Sequence, residues 1–153
     1  DSLMPQSLSN IVLHIVFSTK DRQDTIHADT FRCLYDYLAG ICRNMGCSAI
    51  RIGGTSNHVH VACRMSRTVS VAKLVEEMKK SSSGWYKTVD GGCSDFAWQA
   101  GYGAFSIGPS AIDRLTEYID KQAEHHETHT YQQEYLTILS HYGVEHDERY
   151  VWD

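Results

Sequence analysis

The segment Asn57-His58-Val59-His60-Val61-Ala62-Cys63 holds the first residues able to do chemistry. If it is a strand, its period of two sets His58 and His60 on one face and turns Val59, Val61 and Cys63 to the other. Two imidazoles so spaced can hold one divalent ion when a third ligand arrives from elsewhere. They can equally be two exposed histidines on the solvent side of a sheet. The second constellation is Tyr118-Ile119-Asp120-Lys121-Gln122. Tyr118 and Gln122 are four residues apart, so on a helix they share a face. A tyrosine there can serve as a nucleophile, or can pack at the core's edge with its hydroxyl in water. The chain has nine tyrosines, and spacing alone does not single out this one.

Other groups invite the same double reading. Arg64, Arg67, Lys79 and Lys80, with Ser81, Ser82 and Ser83, could line a phosphate track, or be an ordinary solvated helix end and surface. His125, His126 and His129 suggest a second metal cluster, but their segment is polar throughout and is expected at the surface. His14 is expected to be a packed strand residue. The net charge of −5 argues mildly against a nucleic-acid partner, yet it is unevenly spread. Residues 51–90 hold seven basic and three acidic side chains, whereas residues 91–153 hold three basic and eleven acidic. One positive face on an acidic protein is therefore compatible with the composition.

The elements that must position these residues follow from periodicity. Asn10 to Phe17 reads as a buried strand, and Phe31, Leu34, Leu38 and Ile41 mark a helix from Ala28 to Arg43 that Gly46 would end. Ser48–Gly53 and Asn57–Met65 read as a hairpin turning through Gly53-Gly54-Thr55-Ser56-Asn57. Ser70 would cap a helix with Val71, Leu74, Val75 and Met78 inside, loosening at Ser81-Ser82-Ser83-Gly84. Trp98 to Ile107 reads as a strand. A helix follows Pro109, with Ser110 and Asp113 at capping-box spacing and Ile112, Leu115, Ile119 and Ala123 as its buried stripe. One more helix is expected from Tyr131 to about Tyr142. The order β-α-β-β-α-β suggests an α+β fold, a ferredoxin-like or RNA-recognition-type antiparallel sheet with helices on one face and a helical tail.

The 153 residues suit a single domain, 1–153, with residues 1–9 expected to be disordered or an expression remnant and Met4 the native start. Five cysteines without a C-x-x-C pair fit reduced thiols in a cytoplasm. No apolar run nears the ~20 residues of a membrane span, and no signal peptide is evident.

Four stretches, taken together, resemble a known family. They are His58-Val59-His60, Tyr118-Ile119-x-x-Gln122, His14-Ile15-Val16-Phe17-Ser18-Thr19-Lys20 and Trp98-Gln99-x-Gly101-Tyr102-Gly103-x-Phe105-Ser106. Their order and register look like the single-tyrosine HUH transposases of the insertion-sequence 200/605 family, from about residue 10 to residue 140. The resemblance implies an endonuclease and strand transferase that cuts and rejoins single-stranded DNA at element ends with hairpins. Tyr118 would be the nucleophile, forming a 5′-phosphotyrosine and releasing a 3′-hydroxyl. His58, His60 and Gln122 would hold Mg²⁺ or Mn²⁺. It also implies a homodimer in which the histidines of one subunit meet the tyrosine helix of the other, the chain between them bending at Gly108-Pro109. In such proteins the cleavage site is read largely by base pairing within the DNA. No base for the Tyr118 proton is evident in the sequence.

Three other readings compete. A domesticated repeat-associated tyrosine transposase would nick chromosomal hairpins, although such relatives tend to have longer tails. A noncatalytic recognition-motif module would need aromatic side chains on an open sheet face. A histidine-based metal-binding protein would leave the Tyr118/Gln122 register without a purpose.

Overall fold

β-branched and aromatic runs form strands β1 (Val12–Ser18), β2 (Ser48–Thr55), β3 (His58–Arg64) and β4 (Gly103–Ile107). In the computed structural model, which describes residues 5–153, they make one antiparallel sheet in the order β2-β3-β1-β4. Met4, the expected start, lies outside the described residues. Helices α1 (Phe31–Asn44) and α2 (Val71–Tyr86) form the two crossovers of a βαββαβ unit, as expected. After β4 come α3 (Ile112–Asp120), α4 (Gln122–His125) and α5 (Tyr131–His141). Among the described residues no helix is long and apolar enough to cross a membrane, and all five cysteines are free.

The period of two in β1 and β3 feeds two cores. Leu13, Ile15 and Phe17 with Val59, Val61 and Cys63 face α1 and α2, burying Leu34, Leu38, Cys42, Leu74, Val75 and Met78. The opposite face is not left to solvent. Val16 and Phe105 pack beneath Tyr131, Tyr135, Ile138 and Leu139 of α5, and Ala62 packs beneath Leu115 and Ile119 of α3. The helical tail is thus a second layer, and every residue of β1 is buried. Each buried Val, Leu, Ile or Phe among them contributes about 1.5–3 kcal/mol, so the tail is held to the sheet by its own core.

Local differences from the sequence reading have identifiable causes. Gly53 and Gly54 are strand residues, not turn residues, and only Ser56-Asn57 separates β2 from β3. A Cβ on Gly53 would stand 2.7 Å from Ile119 Cγ2 and 2.8 Å from the Ile119 carbonyl oxygen. The glycine is there to let α3 approach the sheet. α2 runs through the serine stretch to Tyr86, because Ser82 is buried and accepts a 2.9 Å hydrogen bond from Trp98 Nε1. Trp98 joins the sheet only by a bridge to Thr19, so β4 begins at Gly103. The expected capping box at Ser110 is not formed, and a single 3₁₀ turn, Pro109–Ala111, leads into α3. Ser70 does cap α2, accepting from the Lys73 amide at 3.1 Å, and Gly46 (φ 77°) follows the end of α1.

Candidate active site

The face of β3 that bears His58 and His60 lies under the tail helices, so both imidazoles are fully buried. The expectation of histidines on an exposed sheet face is corrected here, because α3 to α5 close over them. The register sets His58 opposite Ser18 and His60 opposite Val16 on the central strand. α3 ends at Lys121, whose backbone (φ −99°, ψ 17°) breaks the helix. The break turns the next residue inward. Gln122 becomes buried and Ala123, expected in the apolar stripe, faces solvent.

Glu134 of α5, also buried, is the centre of the site. Its Oε1 stands 3.2 Å from His60 Nε2, 3.4 Å from His58 Nε2 and 2.9 Å from His126 Nε2. Its Oε2 accepts from Gln122 Nε2 at 2.8 Å and from the Tyr118 hydroxyl. The other Gln122 atom, Oε1, faces His58 Nε2 at 2.8 Å. His14 and His60 share one hydrogen bond, Nε2 to Nδ1, at 2.7 Å, with their rings stacked. The Tyr118 ring stands edge-on to His60, 5.6 Å between centroids. On its outer side a cleft of ≈ 580 Å³ is lined by His14, Arg114, Leu115, Tyr118, His125 and Tyr142 among others.

The donor set is one that could hold a cation. His58 Nδ1 lies 2.8 Å from Asn57 Oδ1, an acceptor, so the ring proton belongs on Nδ1 and Nε2 presents its lone pair. Facing that lone pair are Gln122 Oε1, whose orientation is fixed by the amide's bond to Glu134, and the carboxylate itself, which only accepts. Three acceptors therefore converge, and burial holds the His58 imidazole down at about 4, which disfavours a proton as the mediator. A ring nitrogen each of His58 and His60 and a Glu134 oxygen lie within 4.8 Å of one another, a span that one divalent ion could bridge. Burial pushes His14 down to about 3, assisted by the neighbouring His60. Burial pushes Glu134 up, but the neighbouring imidazoles of His126, His58 and His60 outweigh it and hold the carboxyl well below the usual range. The Tyr118 phenol is raised by burial first, then by the charge and hydrogen bond of Glu134.

The structure brings together His58, His60, Tyr118 and Gln122, the four residues of the two sequence constellations. All four belong to one chain in this arrangement. Glu134 is not among the residues singled out in the sequence, and His126, weighed there in a second metal cluster but expected at the surface, is largely buried against it. His125 lies 3.7 Å from Glu134 Oε2, and its ring is stacked on that of His129. The expected phosphate track is elsewhere: Lys79, Lys80, Ser81 and Ser82 belong to α2, on the opposite side of the sheet. Lys79 Nζ donates to the carbonyls of Gln99, Ala100 and Gly101 at 2.8, 3.1 and 2.5 Å, and burial lowers it to about 8. Lys79 and Ser82 are thus committed to holding the 98–101 segment, whereas Arg64, Arg67 and Lys80 are exposed.

Comparison with known families matches residues 7–122 to the family described as IS200-like transposases. Comparison with curated proteins finds no match. Among solved structures, the chain is similar to a Deinococcus radiodurans R1 protein described as a transposase, at 16% identity and a TM-score of 0.58, over 80% of this chain and 98% of that one. It is also similar to a REP-associated tyrosine transposase bound to a REP hairpin, at 12% identity and a TM-score of 0.61, over 82% of this chain and 74% of that one.

Proposed function

The chain belongs to the IS200-like transposase family, and we propose that it cleaves and rejoins single-stranded DNA at hairpin-bearing ends through a 5′-phosphotyrosine on Tyr118. The observation that carries this reading is the double engagement of Glu134. One carboxylate oxygen accepts the Tyr118 hydroxyl and the other faces His58 and His60. A nucleophile, a proton acceptor and a set of cation ligands are thus in one place, as phosphodiester cleavage needs.

His58 and His60 would hold a divalent ion, Mg²⁺ or Mn²⁺, with Gln122 Oε1 as third ligand and Glu134 at the same corner. When bound, the ion would supply charge to the nonbridging oxygens of the scissile phosphate. The chain's own groups do the rest. The Tyr118 Oη–P bond forms as the P–O3′ bond breaks. The phenolic proton passes to Glu134 Oε2, and the leaving 3′ oxygen takes a proton from solvent. The bond energy is kept in the phosphotyrosine, so rejoining needs no nucleotide cofactor. In the free protein this proton transfer is uphill, with the phenol raised and the carboxyl lowered. Tyr118 therefore keeps its proton in the free protein. A noncatalytic recognition-motif module is disfavoured, because the sheet face that would stack bases is covered by α3 and α5.

The test is a covalent adduct. The protein is incubated with Mn²⁺ or Mg²⁺ and single-stranded oligonucleotides spanning its element's ends, then denatured. Wild type should retain labelled DNA and Tyr118→Phe should retain none. An adduct of undiminished yield in Tyr118→Phe, or none in wild type, rejects the reading.

A further inference from the structure

The histidines that follow the tyrosine helix form a second set of ligands. A ring nitrogen of His125, one of His126 and a Glu134 oxygen all lie within 4.8 Å of one another, as do a ring nitrogen each of His58 and His60 and a Glu134 oxygen. Glu134 is the corner common to both. Two ligand atoms each about 2.1 Å from a tetrahedral ion lie about 3.4 Å apart. The observed separations bracket that value: 2.9 Å from His126 Nε2 to Oε1 and 3.7 Å from His125 Nε2 to Oε2.

Two further observations point to a ligand. His125 Nε2 is shielded from solvent, yet it has no hydrogen-bond partner. A ring nitrogen hidden at the mouth of a cleft and turned towards a carboxylate lacks the partner that buried polar atoms normally have. The ring is also held from two sides: stacked on His129 at 4.8 Å with 4° between planes, and edge-on to His126 at 5.0 Å. Ordering of this kind is uncommon for a polar segment on the surface. A His₂Glu triad open on one side is the ligand class of zinc sites that keep a free coordination position.

We propose that His125, His126 and Glu134 form a second divalent-metal site, for a borderline ion such as Zn²⁺ or Mn²⁺, with Glu134 bridging it to the ion at His58 and His60. The second position adjoins the Tyr118 hydroxyl, which shares Glu134 Oε2. Paired ions about 3.5–4 Å apart are a known arrangement for phosphodiester chemistry, one near the attacking oxygen and one near the leaving oxygen. The proposal rests on the first-site assignment made above, but its test does not use DNA cleavage.

The experiment counts ions. Metal-free protein is titrated with Zn²⁺ by calorimetry, with bound metal measured after equilibrium dialysis. Wild type should bind two equivalents, His125→Ala/His126→Ala one, His58→Ala/His60→Ala one, and His129→Ala two. Mn²⁺-loaded wild type should give the magnetic-resonance spectrum of a coupled pair, which the His125→Ala/His126→Ala protein lacks. His125 lies at the edge of the cleft, outside the apolar cores, whereas His126 bonds the buried Glu134. His125→Ala alone, which keeps that bond, should also bind one equivalent, and each variant is titrated only after its circular-dichroism spectrum matches wild type. A single equivalent in wild type, or two in the His125→Ala/His126→Ala protein, or two uncoupled ions, overturns the proposal. If wild type binds one ion and still forms the Tyr118 adduct, the second site fails while the proposed function stands. If it binds two and forms no adduct, the reverse holds.

Discussion

At neutral pH the metal-free protein folds with His14 and His58 uncharged, because burial lowers the first to about 3 and the second to about 4 from a reference of 6.5. In the unfolded chain each takes up a proton near pH 6.5. Both folded values lie below the unfolded one, so between about pH 6.5 and pH 4 the unfolded state binds more protons. Stability must then fall as pH falls. The slope is about 1.4 kcal/mol per pH unit for each proton, or about 3 for the two together. Between pH 7.5 and pH 4.5 each histidine removes about 2–3 kcal/mol, and the pair about 5, against the roughly 5–15 kcal/mol that a domain commonly has. Glu134, held well below the usual carboxyl range, adds to the loss in the same direction only below the unfolded carboxyl value, 4.5. The assay is urea unfolding followed by tryptophan fluorescence in the presence of a chelator, at half-unit pH steps. His14→Asn should reduce the slope by about half between pH 6 and 5. A stability that stays flat from pH 6.5 to 4.5, or a slope untouched by His14→Asn, would refute the assignment of these rings as buried and neutral.

Two further outcomes follow from single contacts. Glu134→Gln should slow formation of the Tyr118 adduct by about 10²–10⁴-fold, the range for loss of a positioned base, and the residual rate should climb with pH, since hydroxide must then take the phenolic proton. Single-turnover adduct kinetics measure both, and a rate within about threefold of wild type rejects Glu134 as proton acceptor. Gly53→Ala should cost about 1–3 kcal/mol by overpacking, because the new Cβ meets Ile119 Cγ2 at 2.7 Å and backbone oxygen at 2.8 Å. It should also impair adduct formation by displacing α3, and unchanged stability in urea unfolding would show that α3 does not press on β2.

The strands and helices were legible because each advertises itself by local periodicity. The alternation around His58 and His60 correctly put both on one face and Val59, Val61 and Cys63 on the other. What that face would meet was not legible, since it depends on long-range packing of a tail whose apolar stripe could have docked anywhere. Glu134 did leave a signal. Tyr131, Tyr135, Ile138 and Leu139 mark the buried side of α5, and Glu134 lies one residue from Tyr135 on that same side. An acid within an apolar stripe is expensive unless paired, and is thus a pointer to a partner. The turn of Gln122 into the core had no comparable mark, because the stripe Ile112, Leu115, Ile119, Ala123 is regular and only the break at Lys121 interrupts it. Lys79 shows the limit from the other side: a basic residue on a helix invites a phosphate reading, while the carbonyls of Gln99, Ala100 and Gly101 that it serves lie 20 to 22 residues on and leave no local mark.

The position of Glu134 ties the chemistry to the fold. The second sheet face has only a modest apolar cover, Val16 and Phe105 under α5 and Ala62 under α3, with the polar cluster between these patches. α3 meets α5 through Tyr118 on Glu134, and α4 meets it through Gln122 on the same carboxylate. A buried carboxylate is strongly destabilising when its partners are removed, so the helix that presents the nucleophile is held by the same charge that would accept the nucleophile's proton. Any event that draws Glu134 towards the histidines weakens its hold on Tyr118. Release of the phenol and occupation of the ligand set are therefore coupled through one side chain, and neither can be altered without changing the other.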